Sequence, residues 1–292
     1  MDNTMLAQFV FDNPHLVTKK ETSYPNVYVL KYKNKVFYDN LWNEYLEECR
    51  GTLVDDKFNL VSYPFTKIYN YGIESNSPVL EPTTIVDAYR KVNAFMVAVT
   101  WYNDDIIVST TGTTDSDFVK MAREIIEPNI DKYRKTCKEY DRYTFMFECV
   151  HRNDPHIIPE EEGMYLLGLR SKVFGSPISV SQTLHESFGC FAVEHIRCTL
   201  EELIGMVNTV KHEGFVFYTE DGVSSKMKSP YYLVKKFVAR NRNTSKLLAP
   251  NVKEKVDEEY YPLIDHIQAN IEEFTLLDEQ ARLKWVSSFL ET

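Results

Sequence analysis

The stretch "KVNAFMVAVTWYNDDIIVSTTG" (residues 91–112) decides the fold class. Two apolar runs, rich in β-branched and aromatic residues, flank "NDD", a short polar break that suits a hairpin turn. Strands joined this tightly must run antiparallel, because a parallel return needs a crossover of about a dozen residues or more. The pattern recurs outward from this pair. "VYVLKYK" (27–33) predicts a strand, and "RGTLVDD" (50–56) with "NLVSYPF" (59–65) predicts a second hairpin around Asp55–Lys57. "YTFMFECV" (143–150), "MYLLGLR" (164–170), "EGFVFYTEDG" (213–222) and the short "SSKMKS" (224–229) predict further strands.

Helical spacing interrupts these strands at intervals. "DSDFVKMAREIIEPNIDKYRK" (115–135) predicts one helix from an Asp/Ser cap, and "TLEELIGMVNTV" (199–210) one with a Thr-x-x-Glu start. "SPYYLVKKFVAR" (229–240) begins with Ser229 as cap and Pro230 in the first turn. From about 248 onward the pattern is wholly helical, with Tyr260, Leu263, Ile267, Ile271 and Phe274 at packing-stripe spacing. The expected fold is α+β, with antiparallel sheets flanked by helices. The expected domains are a catalytic one at 1–245 and a small helical one at 246–292.

The chain has 292 residues, 43% of them hydrophobic and 26% charged, the composition of a globular protein. A net charge of -10 excludes a polycationic nucleic-acid coat, so any nucleic-acid contact must be local. The charge is unevenly placed. Lys226, Lys228, Lys235, Lys236, Arg240, Arg242 and Lys246 form an acid-free strip, whereas residues 251–292 hold ten acidic residues against four basic. The first segment suits phosphates and the second a solvated helical module. Five cysteines without a CxxC pair fit free thiols in a reducing compartment rather than disulfides or zinc. Without a signal peptide or a membrane-length apolar run, the expected location is the cytoplasm, the host's if the source is viral.

Lysine can attack a nucleoside triphosphate only as the neutral amine, and cationic neighbours favour that form while neutralising phosphates. Lys91 opens the quoted stretch, and Lys226 and Lys228 alternate on one short strand, facing one side. Glu148 and Glu213 sit at or beside strands, where a carboxylate can bind ribose hydroxyls or a hydrated Mg²⁺. Cys49 and Cys149 read as buried small hydrophobes, and His151, His156 and His212 lack metal-ligand spacing.

Lys91, "FE" (147–148), "EGFV" (213–216) and "KMK" (226–228) resemble, in order, the motifs of the covalent nucleotidyltransferases, which include polynucleotide ligases and mRNA capping enzymes. "ECRGTLVDD" around Arg50, "YPFTKIYNYGIE" around Lys67 and Tyr69, "FECVHRNDPHI" and "YLLGLR" narrow the likeness. Together they resemble the bacteriophage T4 RNA ligase 1 family over roughly residues 25–245.

That resemblance implies an ATP-dependent RNA ligase that joins 5'-phosphate and 3'-hydroxyl ends through lysyl-AMP and adenylylated RNA. Lys91 would be the nucleophile, Glu148 would contact the ribose, and Glu213 would hold Mg²⁺ (or Mn²⁺ in its place) through water. Lys226 and Lys228 would bind phosphates, Arg50 and Lys67 would add charge, and Tyr69 stands where the family has an aromatic residue. The implied partners are single-stranded or nicked RNA ends, tRNA among them, met by a monomer with no membrane attachment.

Three departures qualify the likeness. The family's Lys-x-Asp/Asn-Gly is "KVNA" here, so Ala94 stands in place of glycine. If φ is positive there, or if the backbone must touch the nucleotide, adenylylation is expected to be weakened unless the loop has adjusted. "STTGT" (109–113) has Thr111 where some members carry a basic residue. The tail, at about 45 residues, is shorter than the RNA-recognition domain of some relatives. Two other readings remain: an adenylylation-impaired nucleotide- or RNA-end-binding protein, for which Ala94 speaks, and a DNA ligase or capping-type enzyme. The last two usually carry a further β-barrel where this chain turns helical.

Overall fold

The computed structural model describes residues 2–240 and 244–291. The chain divides into two compact units. The first gathers Met1–Lys67, Ala94–His156 and Glu160–Val193, and the second Ile68–Asn93, Ile157–Pro159 and Glu194–Thr292. The mixed α+β class with antiparallel sheets and C-terminal helices is the one expected from the hairpin patterns.

The first unit holds two sheets, whose strands are numbered here in chain order. One is the antiparallel meander β1 (Val17–Glu21), β2 (Val27–Tyr32), β3 (Arg50–Asp55) and β4 (Leu60–Ser62). The predicted turn after β3 forms because the Asp55 carboxylate accepts the backbone N–H groups of Lys57 and Asn59, each at 2.8 Å. The other sheet is built on the decisive hairpin. β7 (Phe95–Tyr102) and β8 (Asp105–Ser109) meet across Asn103 and Asp104, both at positive φ, the backbone that a two-residue turn requires. β9 (Tyr143–Val150), β10 (Gly163–Ser171) and β11 (Ile178–Ser179) extend it in the order β11-β10-β9-β7-β8.

One face of this sheet, with Val97, Val99, Phe145 and Phe147, packs on Val119, Ala122 and Tyr133. These come from helices Asp117–Ile126 and Ile130–Glu139, which the sequence pattern predicts as one helix. Pro128, in the 3₁₀ turn Glu127–Asn129, breaks it by removing an N–H donor.

The second unit's sheet has the order β12-β6-β13-β14-β5. Its strands are β5 (Tyr69–Asn70), β6 (Ile85–Arg90), β12 (His195–Thr199), β13 (Gly214–Thr219) and β14 (Ser224–Lys228). All neighbours are antiparallel except β14 and β5. Val86, Ala88, Phe215 and Phe217 bury one face against Leu200, Leu203 and Val207 of helix Leu200–Val207. Thr199 and Glu202 cap that helix reciprocally, as the Thr-x-x-Glu spacing predicts. Helix Pro230–Arg240 starts where Ser229 Oγ accepts the Tyr232 N–H at 3.1 Å.

The tail helices Tyr261–Ala269, Ile271–Leu276 and Glu279–Leu290 share a core with Phe237 of that preceding helix. Tyr260, Leu263, Ile267 and Phe274 are buried as the stripe predicts, but Ile271 is exposed. The helix break at Asn270 resets the phase just before it. Among the described residues no helix is long and apolar enough to cross a membrane.

Candidate functional site

The site in the second unit grows from three neighbouring strands. Along β6, Val86 and Ala88 turn into the core, so Asp87 and Tyr89 take the other face. Past the end of β6, the Lys91 N–H still donates to the Gly214 carbonyl at 2.8 Å, which extends the β6–β13 pairing by one residue. Gly214 in turn lies opposite Lys228 on β14. Lys91, Gly214 and Lys228 therefore form one row across the sheet, and Tyr89, Val216 and Lys226, two residues along, form the next row on the same face.

Only glycine fits the middle of the first row. Gly214 has φ +134°, and a Cβ there would lie 2.0 Å from the Met227 carbonyl oxygen. With no side chain between them, both lysines reach the carboxylate of the preceding residue. Lys91 Nζ lies 3.1 Å from Glu213 Oε1, and Lys228 Nζ lies 3.8 Å from the same oxygen. The Asn93 amide donates to Glu213 Oε2 at 2.7 Å, and the Asn93 carbonyl oxygen accepts the Ile158 N–H at 2.9 Å.

Glu213 is buried, whereas the Lys91 side chain keeps about a quarter of its exposure. Burial on its own pushes the Glu213 carboxyl up, but Lys91, Lys228 and the Asn93 bond outweigh it and hold the group below the usual carboxylate range. The cluster is thus a carboxylate that grips two lysines, one of them reachable from solvent.

The two-residue strand β5 fixes β14 in place. Ser225 Oγ donates to the Tyr69 carbonyl at 2.7 Å, and the Tyr71 N–H donates to the Lys226 carbonyl at 2.9 Å. Tyr69 itself is buried.

Several solved structures have this architecture. Form 2 of an archaeal ATP-dependent RNA ligase superposes on 98% of this chain and 76% of its own, with a TM-score of 0.61 at 14% identity. Form 1 covers 99% and 77%, with 0.58 at 14%. A putative ATP-dependent DNA ligase from Aquifex aeolicus covers 97% and 77%, with 0.55 at 13%. The chain has the fold of these ATP-dependent ligases. No protein-family model matches its sequence, and no curated protein matches it either.

On this ligase fold, the remaining expected site residues, Arg50, Lys67 and Glu148, belong to the first unit. Glu148 is buried on β9, between Met96 of β7 and Tyr165 of β10. Arg50 opens β3, its guanidinium 5.9 Å from the centre of the Tyr32 ring. Lys67 is buried, with its ammonium 4.6 Å from the Trp42 ring centre and 5.7 Å from that of Phe37. Ala94 is not among the described residues at positive φ, so its backbone carries no left-handed strain. The Lys31 ammonium borders Gly112, bringing from β2 a positive charge beside the turn where Thr111 supplies none.

Sequence reasoning missed two ion-paired clusters. In the first unit, Arg170 of "YLLGLR" bonds both carboxylate oxygens of Glu48 of "ECRG" at 2.7 and 2.9 Å. It also donates to the Pro64 carbonyl at 3.0 Å and stacks 3.7 Å from the Tyr63 ring centre, both residues of "YPFT". Three motifs thus meet in one buried pair. In the second unit, Lys236 and Arg240 do not belong to an open phosphate-facing strip. Lys236 is buried between Asp257 and Glu259, each at 2.6 Å, and Arg240 bonds Asp257 at 3.0 Å. Arg242 lies outside the described residues. The tail is also less solvated than its composition suggests, since Glu258 and Glu259 are buried.

Cys49 and Cys149 are buried and their thiols are pushed up to about 12 by that burial, which leaves them unreactive. The histidines serve local structure: His151 bonds Glu124, His156 bonds Asp154, and His212 accepts the Gly214 N–H.

Proposed function

We propose that the protein is an ATP-dependent RNA ligase of the kind the T4 RNA ligase 1 family exemplifies, with Lys91 as its nucleophile. The observation that carries this reading is Lys91 beside Glu213 and Lys228 on a ligase-type fold. Lys91 Nζ attacks the α-phosphorus of ATP; the N–P bond forms as the α–β P–O bond breaks, and pyrophosphate leaves. AMP then passes to an RNA 5'-phosphate, and a 3'-hydroxyl attacks the activated end, sealing the strand and releasing AMP.

Lys91 must shed a proton before it attacks, and Glu213 holds the ammonium in the resting protein. Lys228, drawing on the same oxygen, competes for that carboxylate. Among the described residues no three His, Cys, Asp or Glu side chains gather as metal ligands. In this reading the ion is carried on the nucleotide's phosphates and would touch Glu213 through water, as Mg²⁺ does readily. Such an ion, Mg²⁺ or Mn²⁺, would supply positive charge to the phosphates and to Glu213.

Lys226 is assigned to the phosphates and Glu148 to the ribose. Arg50 and Lys67, the latter with its ammonium over Trp42, add further charge for the phosphates. Tyr69 acts by anchoring β14. We assign residues 1–245 to adenylyl transfer and 246–292 to a helical module, in a cytoplasmic monomer that acts on single-stranded or nicked RNA, tRNA included.

Radiolabelled ATP with Mg²⁺, followed by denaturing electrophoresis, tests the reading. Label on the wild-type chain that is absent from Lys91→Ala supports it. Label from GTP alone would point to capping, and none from either nucleotide to a binding protein. DNA ends belong beside RNA ends in the joining assay, because the Aquifex aeolicus protein of like fold is a putative DNA ligase.

A further inference from the structure

Lys228 has a second carboxylate partner, closer than Glu213 and drawn from the C-terminal segment. Its ammonium donates to Glu259 Oε1 at 2.7 Å, and Lys236 donates to that same oxygen at 2.6 Å. Glu259 lies in the 3₁₀ turn Glu258–Tyr260, and the next residue pins the turn to helix Pro230–Arg240. Tyr260 is buried, its hydroxyl donates to the Leu233 carbonyl at 2.8 Å, and its ring meets that of Phe237 edge-on. Glu259 is itself buried; burial alone would raise its carboxyl, but Lys228 and Lys236 draw it far below the ordinary range. It is therefore a fixed anion rather than a surface side chain that happens to touch a lysine.

We propose that Glu259 is a positioning residue that holds the Lys228 ammonium ready for a nucleotide's phosphates, which makes the C-terminal segment part of the nucleotide site in this unit. The inference rests on Lys228 being a phosphate ligand, as the proposed function has it. A lysine stem normally loses rotamer freedom when it captures an anion, and a preset ammonium has already lost it. One bond to Glu259 leaves two further N–H donors on Lys228.

The arrangement does not cancel the charge on offer. Lys236 shares the Glu259 oxygen, and around this turn Lys228, Lys236 and Arg240 face Asp257 and Glu259, three cations against two carboxylates. Adding Glu213 and Lys91 makes it four cations against three carboxylates, and the phenols of Tyr232 and Tyr260 and the buried Glu258 are further ionisable neighbours. Glu259 thus fixes where Lys228 points without neutralising it.

The test titrates ATP with Mg²⁺ against the full chain, by single-turnover lysyl-AMP labelling and by calorimetry. Glu259→Gln should raise half-saturating ATP about tenfold, while labelling at saturating ATP falls by less than about threefold. Glu259→Asp, which keeps the charge on a shorter stem, should fall between, and it serves if Glu259→Gln does not fold. In a Lys228→Gln background, Glu259→Gln should have no further effect on ATP. Unchanged ATP dependence, tighter ATP binding, or effects that simply multiply in the double variant would each overturn the proposal. Wild-type chain that binds ATP with this sensitivity yet takes no label refutes the ligase reading and leaves Glu259 its role. Wild-type chain that neither binds nor labels overturns both.

Discussion

Lys91 and Glu213 form an ion pair, Nζ to Oε1 at 3.1 Å, in which only the lysine is reachable from solvent. The carboxylate is the fixed member: buried, bonded by Asn93, and shared with Lys228. Glu213→Gln keeps the shape and the Asn93 contact but leaves two ammonium groups without their shared anion. It should slow lysyl-AMP formation by about 10²-fold or more while the chain stays folded, as a rapid-quench labelling series would show. Labelling within a fewfold of wild type would remove Glu213 from the reaction.

Glu213 and Glu259 together set an acid limit. Both have folded pKa values drawn below the ordinary 4.5 by their lysine partners. A depressed pKa gives stability that is fully present above the unfolded value and is lost as pH falls through the folded one. The chain should therefore keep its urea midpoint at about pH 6 and lose it progressively below about pH 4.5. Glu259→Gln should flatten that acid limb and lower the neutral midpoint. An equal slope in both proteins would show that folding does not lower the Glu259 pKa.

Ala94 stands where the resembled family has glycine, and it carries no left-handed φ. Glycine there would only widen the unfolded ensemble, so Ala94→Gly should cost about 0.4–1 kcal/mol of stability. Its labelling rate should stay within about threefold of wild type, since no backbone strain waits to be relieved. A large gain would show that the Cβ crowds the nucleotide instead.

How far the sequence discloses this site depends on the range of each interaction. The hairpin at "NDD" is legible because its turn chemistry is local, and the Ser229 and Thr199 caps are legible for the same reason. Motif order singles out Lys91, Glu213 and Lys228, which the fold brings together. β6, the strand that delivers Lys91, escapes notice because "IVDAYR" has only two apolar core positions, Val86 and Ala88. The clusters around Arg170 and Glu259 escape for a different reason. Each joins residues far apart in sequence, Glu48 to Arg170 and Lys228 to Glu259, and no local pattern marks a charge for burial. Pro128 misled in the other direction, because the periodicity continues through it while the hydrogen bonding does not.

The Glu48–Arg170 pair is the clearest stability test of the first unit. Both side chains are largely buried, the contact is bidentate, and Arg170 also satisfies the Pro64 and Ser176 carbonyls. Arg170→Met should cost about 3–5 kcal/mol, because it strands a buried carboxylate. Pairing it with Glu48→Leu should recover part of that loss, since no charge is then left unmatched. Urea unfolding of the two variants would check this, and additive losses would mean that the two groups are not coupled.

Gly214 lies in the row between Lys91 and Lys228, where strand pairing and the proposed chemistry cannot be separated. Its φ of +134° disfavours any side chain, and a Cβ would stand 2.0 Å from the Met227 carbonyl. Accommodating alanine means pushing β14 away from β13, which moves Lys228 off Glu213 in the same step. Gly214→Ala should therefore cost about 3 kcal/mol or more and abolish labelling even in the fraction that remains folded. The check is to measure labelling per folded molecule, with the folded fraction taken from circular dichroism at the assay temperature. Wild-type labelling per folded molecule would mean that β14 can shift without disturbing the lysine row, and that the row is not the source of the chemistry.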